Sequence, residues 1–236
     1  MTDRGFVLAM ETSQRAQSIA IRAHDGAVHE EVVHADDRTR EDLLPAVARV
    51  VGRAGCMPEH LRGVLLNAGP GGFTGLRVAH AAAQAIALAL QVPVVQVSGA
   101  ACARAAAILS GELAPNEACW VALASKGDEA WIARADAQGP VAGRSIDVAA
   151  WDPGDCHVLV SDAHLPASWR ALVERRGIRQ LPLRVHASAV LAAGLPMLQR
   201  GQCTPPEAVV PAYPREAEAV RLWRLRKVGR ADGTPA

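Results

Sequence analysis

Two short stretches carry residue types at spacings that could do chemistry. The first is Ala68–Gly75, AGPGGFTG, set between a buried strand-like run, Gly63–Asn67, and an alanine-dominated helix-like run, Leu76–Gln91. A strand, a tight glycine loop and a helix start gather backbone N–H groups at one spot, which suits a phosphate, another anion or a closely packed partner. The loop lacks the Lys and Ser/Thr of G-x-x-x-x-G-K-[ST], and the last position of a G-x-G-x-x-G frame is Thr74, so neither phosphate-loop pattern is met. A close-approach turn, with Thr74 capping the helix, is the competing expectation. The second stretch is Glu11-Thr12-Ser13, at the end of the apolar run Phe6–Met10. A carboxylate and two hydroxyls at a strand end suit a metal-bound phosphate or a water, or simply cap the strand. A lone Glu11 does not make a paired acid–base site.

Other chemistries find little footing. His29 and His34 miss H-E-x-x-H by one residue, and their separation sends the rings to opposite faces of a strand. There is no G-x-S-x-G, and Ser125-Lys126 are adjacent in a turn rather than spaced as S-x-x-K. Five dispersed cysteines with no C-x-x-C fit a reduced cytoplasmic protein better than a disulfide framework or zinc site. Twenty-five basic against 24 acidic residues leave a formal charge of +1, so no general affinity for polyanions is expected. The basic tail, with Arg221, Arg224, Arg226, Lys227 and Trp223, reads as a solvated terminal helix or as a nucleic-acid contact. Ala79–Leu90 contains His80 and Gln84 and is shorter than the roughly 20 residues of a membrane span, so none is expected. The run Phe6–Met10 is too short for a signal-peptide core.

The elements that must hold these stretches follow from periodicity and turn chemistry. Phe6–Met10, Ser18–Arg22 and Ala27–His34 read as an antiparallel meander, with Asp25-Gly26 in the second turn. Glu41–Ala54 reads as a helix with Thr39 as N-cap, followed by the Gly63–Asn67 strand, the loop and its helix, the strand Pro93–Ser98 and an Ala-rich helix to Leu109. After Gly111–Asn116 the order partly recurs: a hairpin of Cys119–Ser125 with Glu129–Asp136, a strand at His157–Ser161, a helix at Trp169–Arg176, a strand at Leu181–Val185 and a helix at Ser188–Gln199. The expected architecture is α/β with two similar lobes and a cleft between them: a first lobe over 1–112, a more divergent second over 117–214, and a C-terminal helix and tail over 215–236 packing back. The helix after the loop is small or apolar nearly all round, so burial on two sides is expected, one against the sheet and one against a partner. Arg77, His80 and Gln84 make a polar stripe along it.

Three stretches resemble one family. Leu8–Ser13 with Ser18-Ile19-Ala20 resembles L-A-I-D-T-S…S-V-A, Gly69–Val78 (GPGGFTGLRV) resembles G-P-G-S-F-T-G-L/V-R, and Pro93–Ala100 (PVVQVSGA) resembles P-V-x-x-V-S-(T/S). Leu123–Glu129 and the VVPAY of Val209–Tyr213 extend the likeness more thinly. The family is TsaB, bacterial partner of the TsaD enzyme that makes N6-threonylcarbamoyladenosine in tRNA. This chain has Glu11 for the usual Asp, Gly72 for Ser, and Thr39 for a common His. The resemblance implies the two-lobed fold shared by actin, sugar kinases and Hsp70 ATPase domains, with its ribonuclease H-like motif. It implies a non-catalytic partner that activates a TsaD-like transferase, with a TsaE-like ATPase completing the assembly, tRNA engaged through the complex, and a homodimer when alone. The implied docking residues are Gly71, Gly72, Phe73, Thr74, Leu76, Arg77, Ala79, His80, Ala83, Gln84 and Ala87. No cofactor is required; weak ATP or ADP with magnesium, edged by Glu11, Thr12 and Ser13, would sit at the complex interface. The alternatives are an ATP-dependent small-molecule kinase or ATPase of the same fold, with Asp128 or Asp162 as second-lobe carboxylate, and more remotely a glycopeptidase-like hydrolase.

Overall fold

The computed structural model describes residues 5–33 and 43–213; Thr39, His34 and the tail over 215–236 lie outside the described residues. The first sheet is built from β1 (Phe6–Glu11), β2 (Gln17–Arg22), β3 (Val28–Val33), β4 (Leu61–Asn67) and β5 (Val94–Val97), in the order β3-β2-β1-β4-β5. The meander β1–β3 is antiparallel, and β1, β4 and β5 run parallel. Parallel neighbours need crossovers, and these are α2 (Phe73–Leu90) between β4 and β5 and α1 (Leu43–Arg53) between the meander and β4. A third helix, α3 (Gly99–Leu109), leads to the second sheet. That sheet contains β6 (Cys119–Ala124), β7 (Glu129–Asp136), β8 (Gly139–Pro140), β9 (Arg144–Asp147), β10 (Val158–Ser161) and β11 (Arg179–Pro182), in the order β11-β10-β6-β7-β8 with β9 also on β7. Helix α4 (Ala167–Arg175) lies between β10 and β11, and α5 (Ala187–Gln199) follows.

Strand alternation sorts the apolar side chains into layers. Leu8, Met10, Ile19, Ile21, Val64 and Leu66 face α1 and α2. Their neighbours Ala9, Ala20, Leu65, Val95 and Val97 face α3 and α5 instead. The second sheet presents Val121, Ala133, Val158 and Val160 to that same central helical layer. Its other face packs Ala122, Ile132 and Leu159 on Trp151 and Trp169. The order is therefore helices, sheet, helices, sheet, helix. Ala100, Cys102, Ala103, Ala107, Ala187 and Ala189 keep the central layer thin enough for two sheets to share it.

Helix α5 departs from the expected partition. It was expected to extend the second lobe, yet it lies across β1, β2, β4 and β5. The reason is at its start, where the amide of Ala187 donates to Ser18 Oγ at 2.8 Å and that of Ser188 to Glu30 Oε1 at 3.2 Å. Strands β2 and β3 thus supply acceptors for N–H groups that a helix cannot satisfy itself. Helix α2 is long and apolar enough by length and composition to cross a membrane. In the fold it lays Leu76, Ala79, Ala83 and Ala87 into the core.

Candidate functional site

The glycine loop and the Glu11-Thr12-Ser13 turn meet at the C-terminal ends of β1 and β4. Glu11 and Asn67 are neighbours there, one step beyond the Met10–Leu66 pair. Glu11 is 0% exposed. Its Oε1 accepts from the Ser13 amide and its Oε2 from Asn67 Nδ2, both at 2.6 Å. Asn67 Nδ2 also donates to Ser13 Oγ at 3.1 Å, and Asn67 Oδ1 accepts from the Gly69 amide at 2.9 Å. The carboxylate is consequently a strut between two strand ends and the loop, on the side facing α3. Burial raises its pKa above the ordinary 4.5, while the Ser13 and Asn67 bonds pull the other way.

The loop's own groups are also occupied. The Gly72 amide donates to the Ser13 carbonyl at 2.8 Å, Thr12 Oγ1 donates to the Gly75 carbonyl at 2.9 Å, and the Gly99 amide donates to the Gly69 carbonyl at 2.8 Å. A Cβ at Gly71 would collide with Ser13, and one at Gly75 with the Thr12 carbonyl. The loop is therefore a close-approach turn. One part of that expectation needs correction: α2 begins at Phe73, its N-cap is Gly72 without a side-chain bond, and Thr74 lies inside the first turn. Gly72 meets Ser13 only at 3.5 Å, an ordinary contact.

The polar stripe of α2 has a seat on the chain itself. Thr204–Tyr213 runs along α2 and β5 as a strap, joined by Thr204 N to Val94 O at 2.8 Å and Ala212 N to Ala68 O at 2.7 Å. Gln84 Nε2 donates to the carbonyls of Pro206 and Val209, Gln96 Nε2 to that of Val210 at 2.6 Å, and Arg77 Nε to Tyr213 Oη at 3.0 Å. His80 is buried between, with Nδ1 2.6 Å from the Leu76 carbonyl and Nε2 3.2 Å from Gln96 Nε2. This assigns a neutral ring that donates through Nδ1 and accepts through Nε2.

Burial lowers the His80 pKa below the ordinary 6.5, against the opposing pull of its backbone partners. The folded chain then binds fewer protons than the unfolded one, so the ring's contribution is complete above pH 6.5 and is lost as pH falls toward the lowered value. Thermal unfolding followed between about pH 7.5 and 5 is expected to fall more steeply for the native chain than for His80→Gln. Parallel curves would exclude this role.

Of the residues expected to dock a partner, Leu76, Ala79, His80, Ala83 and Ala87 are buried in the chain's own core and offer no docking face. Gln84 is half-buried under the strap, while Gly71, Gly72, Phe73, Thr74 and Arg77 are exposed. The outward stripe of α2 is Thr74, Val78, Ala81, Ala85 and Leu88, with Val78 41% and Leu88 64% exposed. Leu44 is exposed on α1, which packs on the same face of the sheet. The run of small residues was legible in the sequence. The phase of the helix was not, because a surface small on every side leaves its rotation to the sheet beneath.

A cleft of about 810 Å³ separates the lobes. Thr12, Ser13, Arg15 and Gly71–Gly75 line it from the first lobe, and Ser125, Asp162, His164, Arg184 and His186 from the second. Glu11 is not on its wall. Asp162 is, but its Oδ2 accepts from the Ala124 amide and its Oδ1 from the His164 amide, both at 2.8 Å. Asp128 turns away, accepting from Ser168 Oγ at 2.6 Å beside α4. Among the described residues no three His, Cys, Asp or Glu side chains cluster as a metal site. Among the described residues Asp162 is the one carboxylate on the cleft wall, and both its oxygens accept from backbone amides, so the described part of the cleft does not present the pair of carboxylates, one from each lobe, that a magnesium–nucleotide site would use.

Two lobes, each a mixed sheet sharing a central helical layer, with a cleft between them, define the actin, sugar-kinase and Hsp70 ATPase fold. Residues 13–153, more than half of the chain, match the family model of TsaD, tRNA N6-adenosine threonylcarbamoyltransferase. The chain belongs to that family, and within it is homologous to the TsaB/YeaZ proteins. It is 27% identical over 92 residues to the tRNA threonylcarbamoyladenosine biosynthesis protein TsaB of Bacillus subtilis, covering 39% of this chain and 40% of that one. To TsaB of Escherichia coli it is 29% identical over 92 residues, covering 39% of each. The chain thus spans about two-fifths of the length of the curated relatives it matches. The solved structure of YeaZ from Pseudomonas aeruginosa superposes with a TM-score of 0.72 at 25% identity, covering 89% of this chain and 99% of that one.

Proposed function

We propose that this chain is a non-catalytic partner of a TsaD-type threonylcarbamoyl transferase, docking through the outward faces of α2 and α1 in the cytoplasm. The observation that carries the reading is the stripe Val78, Ala81, Ala85 and Leu88, apolar, small at its centre and exposed on a helix whose opposite side is fully packed. Small side chains let a partner helix approach closely, and apolar ends exclude water around the contact. In this reading a TsaE-like ATPase and tRNA join through the transferase, and the same face pairs two copies of the chain when the transferase is absent. The chain carries no resident cofactor, and any ATP or ADP with magnesium is held at the joint between subunits.

The kinase or ATPase alternative draws support from the cleft alone. It needs a carboxylate facing that cleft from each lobe, whereas Glu11 is tied to Ser13 and Asn67. The interface is tested at Ala85, because Ala83 is a core position and arginine there would unfold the chain. Ala85→Arg is expected to abolish co-purification with the cognate transferase and the tRNA modification, while thermal unfolding stays near native. Retention of both by a folded variant would refute the docking face.

A further inference from the structure

At the N-terminal end of the stripe, the strap and α2 build a cluster that packing does not require. Phe73 is 54% and Tyr213 41% exposed, with ring centroids 5.3 Å apart. Arg77 stacks on the Phe73 ring, its Cζ 3.8 Å from the centroid, and its Nε donates to Tyr213 Oη at 3.0 Å. Among the described residues Arg77 has no carboxylate partner, and its other guanidinium N–H groups have no acceptor. The chain has only two Phe and one Tyr, and two of those three rings stand here on the surface. The strap that presents Tyr213 is held by Gln84, Gln96 and the Ala68 carbonyl, so the cluster is braced before anything binds.

We infer that this cluster is a carboxylate-recognition point of the docking surface, receiving an Asp or Glu side chain of the partner transferase; this rests on the docking reading above. Stacking on Phe73 and the bond to Tyr213 fix the plane of the guanidinium and shield one face of it from water. With Nε given to Tyr213, the planar, pre-oriented guanidinium keeps its terminal Nη1 and Nη2 N–H groups without an acceptor among the described residues, and that pair matches a carboxylate bidentately end-on, where an ammonium offers only a point charge. Arginine and tyrosine beside an apolar stripe are also the residue types on which binding energy concentrates. Arg77 lies one turn after Thr74 and one turn before Ala81 on α2, at the i−3 and i+4 spacings of helical neighbours, so the cluster borders the stripe.

The test measures the affinity of the full chain for the cognate transferase by titration calorimetry. Arg77→Ala is expected to weaken binding about tenfold or more. Arg77→Lys should lose most of that as well, and both variants should unfold within about 2 °C of the native chain. Native affinity in Arg77→Lys would overturn bidentate recognition. Affinity within twofold for Arg77→Ala, while Ala85→Arg abolishes binding, would overturn the cluster's role and leave the docking face standing. Unchanged protein affinity with weakened tRNA retention by the assembly would assign the cluster to nucleic acid and likewise overturn the inference. If Ala85→Arg binds normally, the docking reading and this inference fall together.

Discussion

Glu11→Ala is expected to destabilise the chain by about 2–4 kcal/mol, because it strands two buried donors, the Ser13 amide and Asn67 Nδ2. For a chain of this size that corresponds to a melting temperature roughly 5–15 °C lower. The loss should spread to the glycine loop, since Asn67 also holds the Gly69 amide. Glu11→Gln keeps the volume but turns an NH2 toward one of the two donors, so it should recover only part of the loss. The carboxyl's raised pKa adds a signature. The folded chain holds the Glu11 proton more tightly than the unfolded one, so this term stabilises least once pH has risen through 4.5 to the raised value. His80 acts with the opposite sign, and each contribution is therefore read as the difference between the native chain and its own variant. A ligand for a magnesium nucleotide would behave otherwise: its removal would change nucleotide affinity and leave the melting temperature alone. That pattern would remove Glu11's role as a strut.

Gly75→Ala sets two effects against each other. Alanine is favoured over glycine inside a helix by about 1 kcal/mol. At Gly75 the added methyl runs into the Thr12 carbonyl, which belongs to a turn tied at Glu11 and Ser13 and cannot retreat cheaply. Collision with fixed backbone costs about 3 kcal/mol or more, so the substitution should destabilise despite the helix propensity. It should also break the Thr12 Oγ1 bond to the Gly75 carbonyl, loosening the first turn of α2. Gly72→Ser is the control. Its Cβ has room at 3.5 Å, its φ is −59°, and a serine at this N-cap can accept from the first turn, so a gain of a few tenths of a kcal/mol is expected. Denaturant unfolding of both variants checks the pair; equal stability would mean that the Thr12 carbonyl yields.

The sequence by itself determined the element order, the two-lobed class and the family. Strand alternation, turn residues and helix periodicity are local properties, and they placed β1, β2, β4 and β5 within about two residues of their observed bounds and the end of α3 at Leu109. It also determined that AGPGGFTG is no phosphate loop, because the absent Lys and third glycine are matters of identity and spacing. Tertiary structure decided the direction of side chains where the sequence is degenerate. An alanine-rich α2 has no strong hydrophobic phase, so only the sheet beneath it assigns Ala83 to the core and Ala85 to solvent. Only the return of the strap shows that Arg77, Gln84 and Gln96 bond to the chain's own Pro206–Tyr213, with His80 tied in beside them through Gln96, since partners more than 100 residues away leave no local trace. Glu11 followed the same rule. Its position at a strand end was plain from the letters, but the Asn67 amide that takes it away from the cleft belongs to a neighbouring strand, and strand pairing is settled only by the fold.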